Sequence, residues 1–351
     1  MEKPFLVRDF KRTQVMPRAL IAFAILTVAY TAFGIINPMV FDPANFMNLL
    51  RAMSIYLLVG IGQSFVMITG NIDLSIGSIV GMSSIISSTL MSRKSMIEWN
   101  GMYMIPTGMP AIYAVLITLG CCMIVGLVNG FLVGKLRLPS YIATLGTMFI
   151  SRGIAYWVNR NRCTDAIAGG IGKEASDKFQ DFLYYGKTFG IYNTFLITLA
   201  IFAVFFFLLS KTKTGRHIYA VGSDSEAARL SGVNVQLTII KAYLVSSFCA
   251  CVVGLILVAQ ATMGNMEAGI NYEMYGVAAG IIGGISPLGG AGSLLGTLAG
   301  AAVWQTLQNG LSMVGAQVGI QRVVIGAIVI LAVLLDVLLR NRKKKKTINP
   351  D

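Results

Sequence analysis

Apolar runs long enough to cross ~30 Å of hydrocarbon recur along nearly the whole 351-residue chain, separated by polar connections. After a basic stretch, residues 1–18 with Lys3, Arg8, Lys11, Arg12 and Arg18, the first run extends to about Val40. That run is too long for a signal-peptide core and reads as a first span. Further spans are expected near residues 48–69, 72–92, 109–134, 140–158, 195–210, 237–262, 274–289, 291–313 and 320–339, the eighth of the set being short and glycine-rich. The pattern predicts an all-α integral membrane protein of about ten transmembrane helices, with residues 1–351 forming a single domain.

One polar island interrupts the apolar pattern, Lys211 to Gln236. It cannot lie in hydrocarbon, and Lys211, Lys213, Arg216 and Arg229 against Asp224 and Glu226 place it on the cytoplasmic side. Within it, Ser223 followed by Glu226 reads as a capping box, Ala227, Ala228 and Leu230 continue a helix, and Gly232 stands where a helix stops. A helix of about two turns is marginal in water unless something packs on it. A docking surface for a partner and a loop helix folded back on its own bundle both meet that need.

Composition supports the membrane reading, since 55% of residues are hydrophobic and only 12% charged. The formal charge of +13 does not point to nucleic acid, because the basic residues cluster at the ends and in short loops, where they orient a membrane protein. Ten spans bring both termini to the cytoplasm, where the tail 340–351 carries Arg340, Arg342 and Lys343 to Lys346 as an anchor at the lipid surface. The Lys135–Arg137 turn falls on the same side, whereas Arg93 and Lys94 fall on the other. Cys121, Cys122, Cys249 and Cys251 lie within apolar runs and Cys163 stands alone, a pattern of packing residues rather than a disulfide or metal framework.

Several interior residues stand out. Ser140, Thr144, Thr147 and Ser151 form a stripe down one face of the fifth span, suited to lining a translocation path or to bonding a neighbouring helix. Gln305 and Asn309, with Asn129, Gln260 and Gln308, are amides able to bond a polyol in transit or another helix. Gly292, Gly296 and Gly300, with Gly276 and Gly280, form a close-packing seam, and the glycines around Pro287 predict a broken segment. Asp73, in Gly70–Gly77, suits a helix N-terminal cap or a gating acid. Glu273 is placed as an outward-facing acid that meets a partner or cargo, and Asp336 as a structural acid near water.

No catalytic constellation or metal cluster is legible, and His217 reads as a solvated loop residue. Gly186-Lys187-Thr188 resembles the end of a phosphate-binding loop, but Asp181 stands where its first glycine belongs and no helix-forming run follows. No cofactor is therefore expected on this chain. Any ATP-Mg would be bound by another chain.

The runs GNIDLSIGS (70–78), LPSYIATLGTMFISRG (138–153), TGRHIYAVGSDSEAARLSGVNV (214–235), YEMYGVAAGIIGGISPLGGAGS (272–293) and LQNGLSMVG (307–315) resemble the permeases of bacterial ABC importers for ribose, galactose and related simple sugars. The resemblance implies a type II importer-like bundle paired with a second permease chain, as a homo- or heterodimer, around a central path. It further implies a partner ATPase on the cytoplasmic face, an extracytoplasmic sugar-binding protein and residence in the bacterial inner membrane. The family's coupling helix maps onto Ser223, Asp224, Glu226, Ala227, Ala228, Arg229 and Gly232, with the small alanines allowing close seating. Tyr275 departs from the family pattern, which commonly has an acid two positions after the glutamate, and this points to a cargo other than ribose. Nucleosides or a furanose signal as cargo, and a stand-alone secondary transporter, are the competing readings, the last disfavoured by the scarcity of intramembrane charge.

Overall fold

The computed structural model describes residues 12–92, 97–99, 102–104, 109–167 and 174–324, together with 326–328, 330 and 334. Helix α1, Arg12–Ile36, ends in a 3₁₀ turn, Pro38–Phe41, that leads into α2, Pro43–Ile68. Two side-chain caps fix this corner: Asn37 Oδ1 accepts from Met39 N at 3.0 Å and Asp42 Oδ1 from Ala44 N at 2.6 Å, ahead of a proline whose missing N–H costs nothing there. Helix α3, Ile76–Met91, is followed by an antiparallel hairpin of β1, Ile97–Trp99, and β2, Met102–Met104. Helices α4, Ala111–Gly134, and α5, Ser140–Val158, both begin directly after a proline.

A short helix α6, Glu174–Gln180, runs into a π-turn, Asp181–Tyr185, and a small hairpin of β3, Lys187–Thr188, and β4, Ile191–Tyr192. The Gly-Lys-Thr tripeptide thus lies at a hairpin, not at the helix N-terminus that phosphate binding would require. Then come α7, Asn193–Lys211, α8, Lys213–Ser223, α9, Ser225–Leu230, and α10, Val235–Ala261. The pair α11, Tyr272–Ile282, and α12, Leu294–Met313, completes the fully described elements, and residues 318–324 begin a further helix.

Helices α2 and α10 are largely buried and form the centre; α4, α3 and α2 pack on α10, α11 and α12 pack on α2, α5 packs on α3, and α1 covers α12. By contrast α4 and α7 turn Ile112, Leu116, Leu127, Val204 and Phe207 outward, apolar side chains on an outer surface as a lipid environment demands. The α4–α10 contact rests on Gly126, Gly130 and Gly134, spaced four apart; a Cβ on Gly130 would come within 2.6 Å of the Ile240 backbone. Removing one column of side chains in this way lets two helix backbones approach closely without any help from water.

Helices occupy the expected spans as far as residue 313, but not all have the expected lengths. The eighth, drawn as 274–289, ends at Ile282, and Gly283 to Ser293 form an irregular loop before α12. Gly292 belongs to that loop with a φ of 133°, while Gly296 and Gly300 do form the seam, packing on Gly283 and Ala279 of the α11 end. Among the described residues four helices, α2, α4, α7 and α10, are long and apolar enough to cross a membrane; Leu20–Ile36 and α3 are apolar but shorter. The chain is therefore predominantly helical with membrane-spanning character. Most of the span expected at 320–339, with Asp336, lies outside the described residues, as do residues 1–11, Arg93, Lys94 and the basic tail.

Candidate functional site

The turn between α2 and α3 carries Asp73, fully buried. Its Oδ1 accepts from Ser75 N at 2.9 Å and Ser75 Oγ at 2.6 Å, and its Oδ2 accepts from Ser246 Oγ of α10 at 2.6 Å. The backbone of Asp73 is held by Gln63 of α2, whose amide, oriented to suit this network, donates to Asp73 O at 3.1 Å and accepts from Asp73 N at 3.3 Å. The cap position of α3 belongs to Ser75, so Asp73 is not a simple helix cap. It is a cross-link that ties the turn to α10, and every partner found for it is neutral.

The hydroxyl stripe of α5 belongs to the same network. Ser140 Oγ accepts from Ile72 N at 3.3 Å, Thr144 Oγ1 accepts from Leu74 N at 3.1 Å, and Thr147 Oγ1 donates to Asn129 Oδ1 at 2.6 Å. Asn129 Nδ2 in turn donates to Ser75 Oγ at 2.9 Å. Three of these hydroxyls, those of Ser140, Thr144 and Thr147, bond to the Asp73 turn and to Asn129 of α4. Ser151, the fourth, is buried, and its hydroxyl has no partner among the described residues. Gln305 is likewise buried, its Oε1 without a partner among the described residues, and Asn309 exchanges amide hydrogen bonds with Asn45 of α2 at 3.0 and 3.2 Å.

Glu273 sits in the first turn of α11, but its carboxylate reaches inward over Gly77 of α3. Beside it Arg152 of α5 donates to Ala268 O at 3.0 Å, to Gly77 O at 3.1 Å and to Met266 O. Glu273 is therefore part of a clamp between α3, α5 and the 262–271 connection rather than the outward-facing acid expected. Arg152 lies inside the expected fifth span, where spacing alone does not single it out as a site residue.

The polar island folds as two helices. Thr212 caps α8, accepting from Gly215 N at 3.4 Å. Asp224, not Ser223, caps α9: its Oδ1 accepts from Glu226 N and Ala227 N, both at 2.9 Å, while Ser223 Oγ donates back to Tyr219 O inside α8. Glu226 pairs with Arg229 at 2.9 Å instead of closing a capping box. Gly232, at φ 83°, ends the helix, with Val233 N bonded to Ala228 O at 3.0 Å. Ala228 faces inward, 5% exposed, so it cannot be a docking contact; the exposed face is Glu226, Ala227, Arg229 and Leu230, the leucine at 79%.

Helix α8 joins this exposed face to the bundle, burying Ile218 and Val221 in the core and meeting α2 backbone to backbone at its end. Gly222, in its last turn, lies against the carbonyl of Ile68 at the end of α2, and any Cβ at 222 would overlap that oxygen. Gly290 N donates to the same carbonyl at 2.9 Å, from the loop between α11 and α12. Gly289 and Gly290 take φ of 87° and 69°, conformations that glycine adopts without strain, and they abut Gly222, Gly70 and Ser223. Tyr219 of α8 adds a hydrogen bond from its hydroxyl to Gly292 O at 2.8 Å, and burial pushes that phenol up to about 12. The end of α8, the α2–α3 turn with Asp73, and the α11–α12 loop therefore meet at one point.

Comparison with known proteins assigns the family. Residues 45–333 match the family model for the permease component of branched-chain amino acid transport systems. The ribose import permease RbsC of Haemophilus influenzae is 31% identical over 92% of this chain and 94% of its own length, and that of Bacillus subtilis 33% over 86% and 88%. The galactose/methyl galactoside import permease MglC of Haemophilus influenzae is 30% identical over 92% and 95%. No solved structure matches the chain. With the match running from the first turn of α2 through α12, the chain belongs to this family of membrane import permeases, the one that includes the ribose and galactose permeases.

Proposed function

We propose that this chain is the membrane-spanning permease of an ATP-binding cassette importer, carrying a simple sugar such as ribose, galactose or a related monosaccharide across the bacterial inner membrane by alternating access. The observation that supports it best is the near full-length similarity to import permeases for ribose and for galactose or methyl galactoside. In this reading the chain crosses the membrane about ten times with both termini in the cytoplasm, pairs with a second permease chain, and receives sugar from an extracytoplasmic binding protein. A separate ATPase binds ATP-Mg.

The mechanical step begins at α9. Glu226, Ala227, Arg229 and Leu230 present the surface on which the ATPase seats, an apolar centre with a charged rim. Closure of the ATPase displaces α9, and the covalently continuous α8 carries that displacement to the contact of Gly222 with Ile68 and Gly290. Because this contact is backbone on backbone, it has no side chain to flex and passes movement on to the α2–α3 turn and the α11–α12 loop together. The hydrogen-bonded Asp73 turn then moves with α10 and α5 as a unit.

The experiment that tests this reading is a cross-link. With the single substitution Leu230→Cys and a short bifunctional reagent, the purified complex is expected to yield a covalent adduct between this chain and the ATPase subunit. An importer that accumulates sugar but never gives that adduct from positions 226, 227, 229 or 230 would contradict it.

A further inference from the structure

The connection from α10 to α11 dives along α3 instead of turning back at once. At its start Ile167 N donates to Thr262 O and Gly264 N to Thr164 Oγ1, both at 2.7 Å, and Gly264 lies against Ser88. Further on, Asn265 N donates to Ser84 Oγ at 3.1 Å, Met266 and Ala268 meet Gly81, and Gly269 and Glu273 lie against Gly77. From Ser88 to Gly77 is a descent of ~16 Å at ~1.5 Å of rise per residue. At the bottom the ring of Tyr272 lies 6.3 Å from that of Tyr56, which stands ~20 Å from the Pro43 end of α2 and ~18 Å from its Ile68 end. Helix α2 is long and apolar enough to cross a membrane, so the non-helical backbone of residues 265–271 lies about midway through a ~30 Å hydrocarbon layer.

One side of this segment is well satisfied. Gly77 and Gly81 let it approach α3 closely, and Arg152 binds the carbonyls of Met266, Ala268 and Gly77. The other side is open. Asn265, Glu267 and Asn271 are exposed there, with Ile270 and Met274 beside them. Among the described residues the Glu267 carboxylate and the Asn271 amide make no hydrogen bond and no ion pair, and Asn265 spends only its Oδ1, on Glu267 N at 2.8 Å. Lipid does not suit such a surface, since hydrocarbon neither hydrates a carboxylate nor bonds an amide. Helix α7 shows the contrast: near its middle it turns Val204 and Phe207 outward.

We propose that residues 265–274 form part of the wall of a water-filled sugar path. In it the Glu267 carboxylate accepts from, and the Asn271 amide donates to, the hydroxyl groups of a passing monosaccharide. This deepens the sugar-importer reading and rests on it. Non-helical backbone at membrane depth is tolerated where it lines water, and Arg152 holds that backbone in place from behind. Groups this exposed bind weakly, as a path must if cargo is to leave.

The test uses the complete importer in lipid nanodiscs, with Cys163→Ser and Cys121→Ala removing the native thiols that are not buried. Glu267→Cys and Asn271→Cys, made singly, are treated with a charged methanethiosulfonate and followed by intact mass, with Val204→Cys as the lipid-facing control. A thiol in hydrocarbon does not ionise, so both positions are expected to react at least about tenfold faster than 204. Asn271→Leu is expected to lower maximal sugar uptake about three- to tenfold at normal chain levels and normal ATPase binding. Reaction at 267 and 271 no faster than at 204 would overturn the path wall. So would a disulfide joining two copies of the chain through 267 or 271 in place of the reagent adduct, which marks a dry contact, and so would wild-type uptake by Asn271→Leu. Each of these leaves the permease reading standing, whereas a wild-type complex that imports no sugar would sink that reading itself.

Discussion

Gly290 donates its amide hydrogen to the carbonyl of Ile68 at 2.9 Å, across a gap that Gly222 closes from α8 without a side chain. A carbonyl at a helix C-terminus normally finds water or its own C-cap. Here it is held by a loop more than two hundred residues downstream, and the helix that overlies it leads directly to the exposed face of α9.

Gly222→Ala should therefore uncouple the two faces. A methyl group at 222 must push α8 away from α2, at a cost of about 1–3 kcal/mol for overpacking. The expected outcome is a chain that inserts and binds the ATPase, with ATP hydrolysis retained and sugar uptake lost or reduced by more than tenfold. Parallel assays of hydrolysis and uptake check this.

Substitutions on the two sides of α9 should separate docking from folding. Leu230→Glu alters an exposed position and is expected to abolish ATPase binding at normal membrane levels of the chain. Ala228→Trp places a large ring into a buried site and is expected to lower the amount of folded chain before any question of docking arises. Quantitative blots and co-purification with the ATPase distinguish the two results.

How far the sequence disclosed these parts depends on what each residue faces. Apolar runs located the helices, since a span has to be apolar wherever it meets lipid, and Gly232 marked the end of α9 because few other residues take its left-handed φ. Polar side chains were harder to place. The α5 hydroxyls face the Asp73 turn, and no local spacing distinguishes that from a water-filled path. The cap of α9 moved from Ser223 to Asp224 because α8, capped by Thr212, continues through Ser223; a Thr followed by a polar run was too weak a signal to show that helix. Inward Ala228 and outward Leu230 are set by how α9 lies on its neighbours, a tertiary choice absent from a six-residue pattern. The eighth span overran because Gly283 to Ser293 stays apolar in composition while its backbone turns back on α2 and α8.

The Asp73 network should behave as one unit. Asp73→Ala leaves the hydroxyls of Ser75 and Ser246 without their acceptor, at about 1–3 kcal/mol per unsatisfied group. Ser246→Ala made in the Asp73→Ala background is expected to cost far less than in the wild type. Thermal or denaturant unfolding of the four proteins in detergent gives the coupling directly.

Tyr219 gives a pH signature. Its folded-state pKa is raised to about 12 by burial, above the ~10 of an unfolded tyrosine. Its contribution is therefore fully present below about pH 10 and is lost as pH rises toward 12. The stability difference between wild type and Tyr219→Phe should be constant from about pH 6 to about pH 9 and should shrink above about pH 10. A difference that changes through neutrality would place the effect on another group.

The central claim, that this chain moves sugar only when an ATPase works on it through α9, is tested most directly by accumulation in proteoliposomes holding the permease, its ATPase and its binding protein. Labelled ribose or galactose should concentrate inside with hydrolysable ATP, fail to do so with a non-hydrolysable analogue, and fail again with ATP when the chain carries Leu230→Glu. Concentrative uptake that persists without hydrolysis, or that Leu230→Glu leaves unchanged, would contradict the account.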